Sequence, residues 1–230
     1  MKLNRGTILE VQQLGENTRA AVIRLREKPH IMPGQYLHAH LPGHEEEIVG
    51  VNLFPGGFQS IQRENPLYTT APPIPDNWHP GDILNLFGPL GKGFNIPKNA
   101  ERVALVALEQ TSSHLLPLAR AALAKNGDVA LFTDGQFPKL PANIEISPLA
   151  ELEEAYRWAD YLAFSGSWEK IQQVKQYSSM ENLPAPAEVL LLTPMPCSGL
   201  ASCGICAITD SRGKVRMVCE EGPVFDWREL

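Results

Sequence analysis

Arg102-Val103-Ala104-Leu105-Val106-Ala107-Leu108 decides the fold class. After its first residue the run is apolar at every position, so a strand built from it is buried on both faces, as in a parallel sheet. The period then changes. Ser112 to Lys125 places Leu115, Leu116, Leu118, Ala119, Ala122 and Leu123 at helical spacing. Asp128 to Phe132 returns to strand, and Ile144 to Ile146 reads as another. Leu149 to Ala159 predicts a helix, Tyr161 to Phe164 a strand, Glu169 to Tyr177 a helix, and Val189 to Leu192 a last apolar strand. Strands alternating with helices predict a doubly wound parallel sheet.

Upstream the pattern is all β. Strands are expected at Thr7–Val11, Arg19–Leu25, Leu37–Leu41, Ile48–Phe54, Gln59–Gln62, Leu67–Ala71 and Ile83–Phe87. Pro33-Gly34-Gln35-Tyr36 and Pro80-Gly81-Asp82 supply turns between them. Many short strands with turn signals predict a small antiparallel barrel. The expected division is a barrel at 1–98, an α/β domain at 99–183 and a cysteine-bearing segment at 184–230.

Bulk properties narrow the partners. A net charge of −6 over 230 residues argues against nucleic acid. No apolar stretch reaches the length of a membrane span. The start, Met1-Lys2-Leu3-Asn4-Arg5-Gly6, leads into a strand-like run rather than a signal peptide.

All 4 cysteines lie in the last 34 residues, as Cys197-x5-Cys203-x2-Cys206-x12-Cys219. One tight pair flanked by two single cysteines is close to the C-x4-C-x2-C layout, with a distant fourth cysteine, that holds a [2Fe–2S] cluster. Structural zinc sites more often show two short pairs, and zinc stays open as the alternative. Gly199 and Gly204 let the loop curl and aim its amides at anionic sulfur, while Ser198, Ala201 and Ser202 leave room. Metal-binding thiolates must stay reduced, so a cytoplasmic location is expected.

Barrel, α/β domain and cysteine-rich tail in this order resemble the ferredoxin-reductase superfamily. Within it the chain is similar to the iron–sulfur electron-transfer subunit of dihydroorotate dehydrogenase. The residues that carry the likeness are Pro33 to Tyr36, Pro80 to Asp82, Gly88-Pro89-Leu90-Gly91-Lys92-Gly93-Phe94, the four cysteines, and Val218 to Asp226. The resemblance implies a barrel that binds FAD, an α/β domain that binds NAD(H), and a cluster held by Cys197, Cys203, Cys206 and Cys219. The cluster would relay electrons to a flavoprotein dehydrogenase subunit in a heteromer.

The chain departs from that pattern where phosphates should be gripped. The family's Arg-Pro-aromatic-Ser stretch aligns with Val49-Gly50-Val51-Asn52-Leu53-Phe54-Pro55 or with Pro66-Leu67-Tyr68-Thr69-Thr70, and neither has an arginine. Ala71-Pro72-Pro73-Ile74-Pro75-Asp76-Asn77-Trp78 replaces a glycine turn, and its prolines remove N–H donors that a phosphate would need. After the first α/β strand, Leu108-Glu109-Gln110-Thr111-Ser112-Ser113-His114 has a carboxylate where the family has glycines. Phe164-Ser165-Gly166-Ser167 lacks the family's cysteine. NAD(H) binding is therefore expected to be lost and ordinary FAD binding opposed.

Three readings follow: a [2Fe–2S] relay subunit rather than a stand-alone enzyme; a complete reductase whose FAD is held by Asn52, Thr69, Thr70 and the amides around Gly88; and a zinc-holding structural module. Elsewhere, His38 and His40 are expected on a solvated strand face. His114 is read as a structural histidine at a helix start, Ser112 and Ser113 as helix caps, and Glu45 to Glu47 as an exposed loop. Trp227 is a candidate partner-facing residue.

Overall fold

The computed structural model describes residues 2–15, 18–43, 50–57, 66–137, 140–177, 183–197 and 199–230. The expected strand Gln59–Gln62, the Glu45–Glu47 loop and the first two residues of Ile48–Phe54 fall outside them.

The N-terminal half forms β1 (Lys2–Gly15), β2 (Thr18–Leu25), β3 (Tyr36–His40), β4 (Val51–Leu53), β5 (Leu67–Thr69) and β6 (Ile83–Leu90). They make one antiparallel sheet in the order β4-β3-β6-β1-β2-β5. The edges meet beyond β4 and β5, where a Pro55–Thr70 bridge and the Ala71 N–H to Phe54 carbonyl bond at 2.7 Å close the barrel. Alternation drives this closure. Ile8, Ile23, Leu37, Leu53, Tyr68, Leu84 and Leu86 turn inward and leave water. The Tyr68 hydroxyl donates to the Leu53 carbonyl at 2.5 Å, so its burial leaves no polar debt.

The second half forms β7 (Arg102–Ala107), α1 (Ser112–Leu123), β8 (Asp128–Phe132), β9 (Ile144–Ser147), α2 (Leu152–Trp158), β10 (Tyr161–Gly166), α3 (Trp168–Tyr177) and β11 (Ala187–Leu191). The tail adds β12 (Ala207–Thr209), β13 (Val215–Met217), α4 (Val218–Glu221) and β14 (Val224–Asp226). The sheet order is β14-β11-β10-β7-β8-β9. Its strands run parallel except β14, which joins β11 antiparallel. Thus β11 and β14, both within 184–230, are strands of the α/β sheet. Among the described residues no helix is long and apolar enough to cross a membrane.

Several expectations need correction. Thr111, not Ser112 or Ser113, occupies the N-cap of α1, and no side chain caps it; the Ser112 hydroxyl instead donates to the Gln136 carbonyl at 2.8 Å. Trp227 does not face outward. It is buried and stacked 4.4 Å from the Phe164 ring, because β14 draws the tail back onto the sheet edge. His38 is fully buried rather than solvated. The chain around Gly50 and Asn52 covers it, and its Nδ1 lies 2.8 Å from Asn52 Oδ1.

Candidate metal centre

The cysteines sit where the tail crosses between the two halves. One apolar cluster runs from the α/β sheet through Cys206 and Cys219 to Tyr36, Phe54 and Phe94 of the barrel half. Cys203 is exposed, Cys197 is half-buried, and Cys206 and Cys219 are buried; none is in a disulfide. Cys197 Sγ lies 3.8 Å from Cys219 Sγ. Cys197 also contacts Cys203, and Cys219 contacts Cys206. The sulfurs therefore run in the order Cys203, Cys197, Cys219, Cys206. Among the described residues no three His, Cys, Asp or Glu side chains surround a single point as one metal ion would need.

The loop curls because three residues take positive φ: Gly199 at 84°, Ala201 at 52° and Gly204 at 72°. The two glycines do so at little cost, whereas Ala201 adopts a conformation rare for a residue with a Cβ. The curl turns amides toward sulfur. The Cys219 N–H donates to Cys206 Sγ at 3.4 Å, and the Ser202 and Ala201 amides face Cys197. Burial alone would raise the Cys197 thiol, but these donors and the neighbouring thiols outweigh it and bring it down to about 7. Burial, then the Cys206 thiol, pushes Cys219 up to about 12.

The barrel supplies the seat. The Lys92 N–H donates to the Gly222 carbonyl at 2.6 Å, and Asn52 Nδ2 donates to the Met195 carbonyl at 3.1 Å, so the tail is pinned on both sides of the cysteines. Tyr36 packs beneath them, fully buried, and its hydroxyl has no hydrogen-bond partner among the described residues. Converging thiols, amides aimed at sulfur and a spare O–H donor beneath them fit a bound iron–sulfur cluster, whose sulfurs accept hydrogen bonds.

Two clefts flank this centre. One, of about 550 Å³, opens between the halves against Asn52, Phe54, Pro72, His114 and Met195. Its walls suit a flat ring. No lysine or arginine lines it among the described residues, so a dinucleotide diphosphate would find no cation there. Of the four residues expected at a flavin, only Asn52 lines this cleft. Thr70 Oγ1 is taken by the Ala21 N–H at 2.9 Å, Thr69 is half-buried on β5, and Gly88 is buried in β6 against Leu37 and the Tyr36 carbonyl.

The other cleft, of about 600 Å³, lies beyond the ends of β7, β8 and β10. This is the topological switch point, where open α/β sheets bind ligands. Glu109 lines it, at a φ of 57°. The Ser167 N–H donates to its carboxylate at 3.0 Å, and the Gln136 N–H donates to Gln110 Oε1 at 2.9 Å. The chain's own side chains thus take amides that a phosphate would use, and a fixed negative charge stands beside them. Glu109 was visible in the sequence as a carboxylate in the loop, but its Ser167 contact depends on the β7–β10 pairing.

Residues 195–230 match the family model described as the iron–sulfur cluster binding domain of dihydroorotate dehydrogenase B. The chain resembles that enzyme's electron-transfer subunit. It is 28% identical over 170 residues to the Desulforamulus reducens subunit, covering 64% of each chain. It is 27% identical over 178 residues to that of Clostridium perfringens, covering 65% of this chain and 67% of the relative. The match thus takes in less than two thirds of the Desulforamulus protein. Among solved structures, an NADH-dependent reduced ferredoxin-NADP oxidoreductase superposes with a TM-score of 0.73 at 17% identity, covering 97% of this chain and 88% of that one. Phthalate dioxygenase reductase gives 0.58 at 12% identity, covering 93% and 75%. At these identities the likeness is one of fold: barrel, α/β sheet and appended tail.

Proposed function

We propose that this chain is an electron-transfer subunit that holds one [2Fe–2S] cluster on Cys197, Cys203, Cys206 and Cys219. The observation that carries this is the sulfur order, Cys203–Cys197–Cys219–Cys206, which offers two thiolates to each of two irons. When bound, the cluster accepts and releases single electrons. The chain's residues set its surroundings: amides of Ala201, Ser202 and Cys219 offset its negative charge, and the buried Cys206 and Cys219 side exclude water. The partner is a flavoprotein dehydrogenase of the dihydroorotate-oxidising kind, joined in a heteromer. Leu200 and Ile205, 76% and 59% exposed beside Cys203, give that partner an apolar rim at the cluster's open side. Metal-binding thiolates must stay reduced, which supports a cytoplasmic location.

Glu109 argues that NAD(H) is not the electron source, because its carboxylate opposes a pyrophosphate at the crevice. The interdomain cleft favours a second reading, in which a flavin ring lies beside Asn52, Phe54 and Met195 while its phosphates lack the usual grip. Anaerobic purification followed by a visible spectrum and assays of iron, zinc and released flavin separates these. About two irons per chain with no flavin supports the relay. Iron with one FAD supports the reductase, and a colourless chain with one zinc overturns both.

A further inference from the structure

Tyr36 opens β3 at the barrel wall, yet its side chain leaves the barrel and enters the core shared with the cysteines. The ring is held on two sides. Phe54 lies 5.3 Å away, centroid to centroid, and the Cβ that Gly91 lacks would sit 3.2 Å from Tyr36 Cε1. The hydroxyl reaches the cysteine loop, 3.8 Å from the position a Cβ of Gly199 would take. The ionisable groups that act on it are Cys219, Cys197 and Cys206.

This hydroxyl does nothing for the fold as it stands. It is buried and has no hydrogen-bond partner among the described residues. A phenylalanine would fill the same space without leaving a buried donor unpaired, which is the costly arrangement. An unpaired O–H held against a set of metal-binding thiols calls for an acceptor that arrives with the metal. Bridging sulfides and coordinated thiolates are such acceptors.

We propose that Tyr36 is a positioning residue whose O–H donates a hydrogen bond to a sulfur of the bound cluster and thereby raises the cluster's reduction potential. The inference rests on the iron–sulfur reading above. Its direction follows from charge. Reduction adds one electron and no proton, so the reduced cluster is the more negative form and gains more from a donor in a dry site. A phenol is protonated at neutral pH, so Tyr36 is a donor in both redox states.

The test is Tyr36→Phe in the full, iron-loaded chain beside wild type. Iron content and the visible spectrum come first. If wild type holds zinc or no iron, the functional reading fails and this inference falls with it. If both proteins hold the same iron, a potentiometric titration followed by paramagnetic resonance reads the midpoint. The expected result is a lower midpoint for Tyr36→Phe. In D2O, the Ala201, Ser202 and Cys219 amides should give exchangeable deuterons coupled to the reduced cluster in both proteins, and wild type should show one further coupling that Tyr36→Phe lacks. Stability gives an independent sign: Tyr36→Phe should raise the unfolding midpoint of the metal-free chain and speed cluster loss from the loaded one. An unchanged potential with the same exchangeable couplings in both proteins overturns the proposal, as does the same stability change in both forms.

Discussion

The Cβ that Gly91 lacks would lie 2.4 Å from Cδ of Pro223 and 3.0 Å from the Gly222 carbonyl oxygen. Gly91 directly follows the barrel strand β6, whereas Pro223 follows the last cysteine by four residues. Between them the Lys92 N–H bonds to Gly222 and the backbone pairs Lys92 with Pro223. Gly34 makes the same kind of approach: its missing Cβ would stand 2.6 Å from Val224 Cγ2. Two turns of the barrel are therefore bare because the exit strand of the cysteine segment lies against them.

Gly91→Ala should loosen that seat. At a φ of 76° an added Cβ is strained, and here it also overlaps Pro223. The combined cost is on the order of 1–3 kcal/mol, borne where the tail docks. Circular dichroism should still report the barrel, while iron is lost to a chelator several-fold faster than from wild type. Equal chelation rates would show that the contact does not hold the centre.

Arg216 should matter to the tail as a whole. It bonds Glu221 at 2.9 Å and Glu229 at 2.7 Å, with its guanidinium 5.0 Å from the centre of the Phe225 ring. Its side chain is 11% exposed and Glu221 29%, so this pair is screened less than a surface one. Arg216→Met would leave Glu221 without its main partner and cost about 1–3 kcal/mol. Arg216→Lys should recover part of that, since a lysine keeps the charge and loses the fork. Thermal unfolding checks the ranking, and a methionine variant as stable as wild type would refute it.

How far the sequence could be read follows from where each signal resides. The run Val103 to Leu108 carries its own burial, so the parallel sheet was legible. β14 was not: Val224-Phe225-Asp226 is three residues long and becomes a strand only because β11 offers an edge. His38 misled for a related reason. Alternation gives two faces to a strand, but it cannot say that Gly50 and Asn52 will cover the outer one. The approach of Cys203 to Cys197 was legible because both lie in one short loop, whereas Cys219 reaches Cys197 from α4, beyond the β12–β13 hairpin, which spacing alone does not show. Tyr36 was read only as part of a turn, since no local pattern tells that β3 passes beneath the cysteine loop.

Cys203→Ser should separate the centre from the fold. Cys203 is the exposed cysteine of the four, so little packing depends on it. A serine oxygen is a poorer ligand for iron than thiolate sulfur. The variant should retain wild-type far-ultraviolet dichroism and lose most of its iron and visible colour. An unaltered visible spectrum and iron content would remove Cys203 from the ligand set.

His114 should make the protein acid-sensitive. Its ring lies 5.6 Å from Phe54 at the interdomain cleft, and Nδ1 has no hydrogen-bond partner among the described residues. Burial lowers its pKa from 6.5 to about 4, against a smaller opposing pull from the Thr111 carbonyl. An unfolded chain takes up this proton near pH 6.5 and the folded one resists until about 4, so unfolding gains protons between those values. Stability is then fullest above pH 6.5, falls as pH drops through that window, and levels off below it. From pH 7 to pH 5 the loss from this group is about 2 kcal/mol. His38, also lowered by burial first, adds a slope of the same sign. The informative comparison is thus wild type against His114→Gln, by denaturant unfolding at both pH values. The glutamine chain should lose less stability on acidification than wild type, with the His38 share common to both. Parallel losses would mean that the imidazole is not held neutral in the fold.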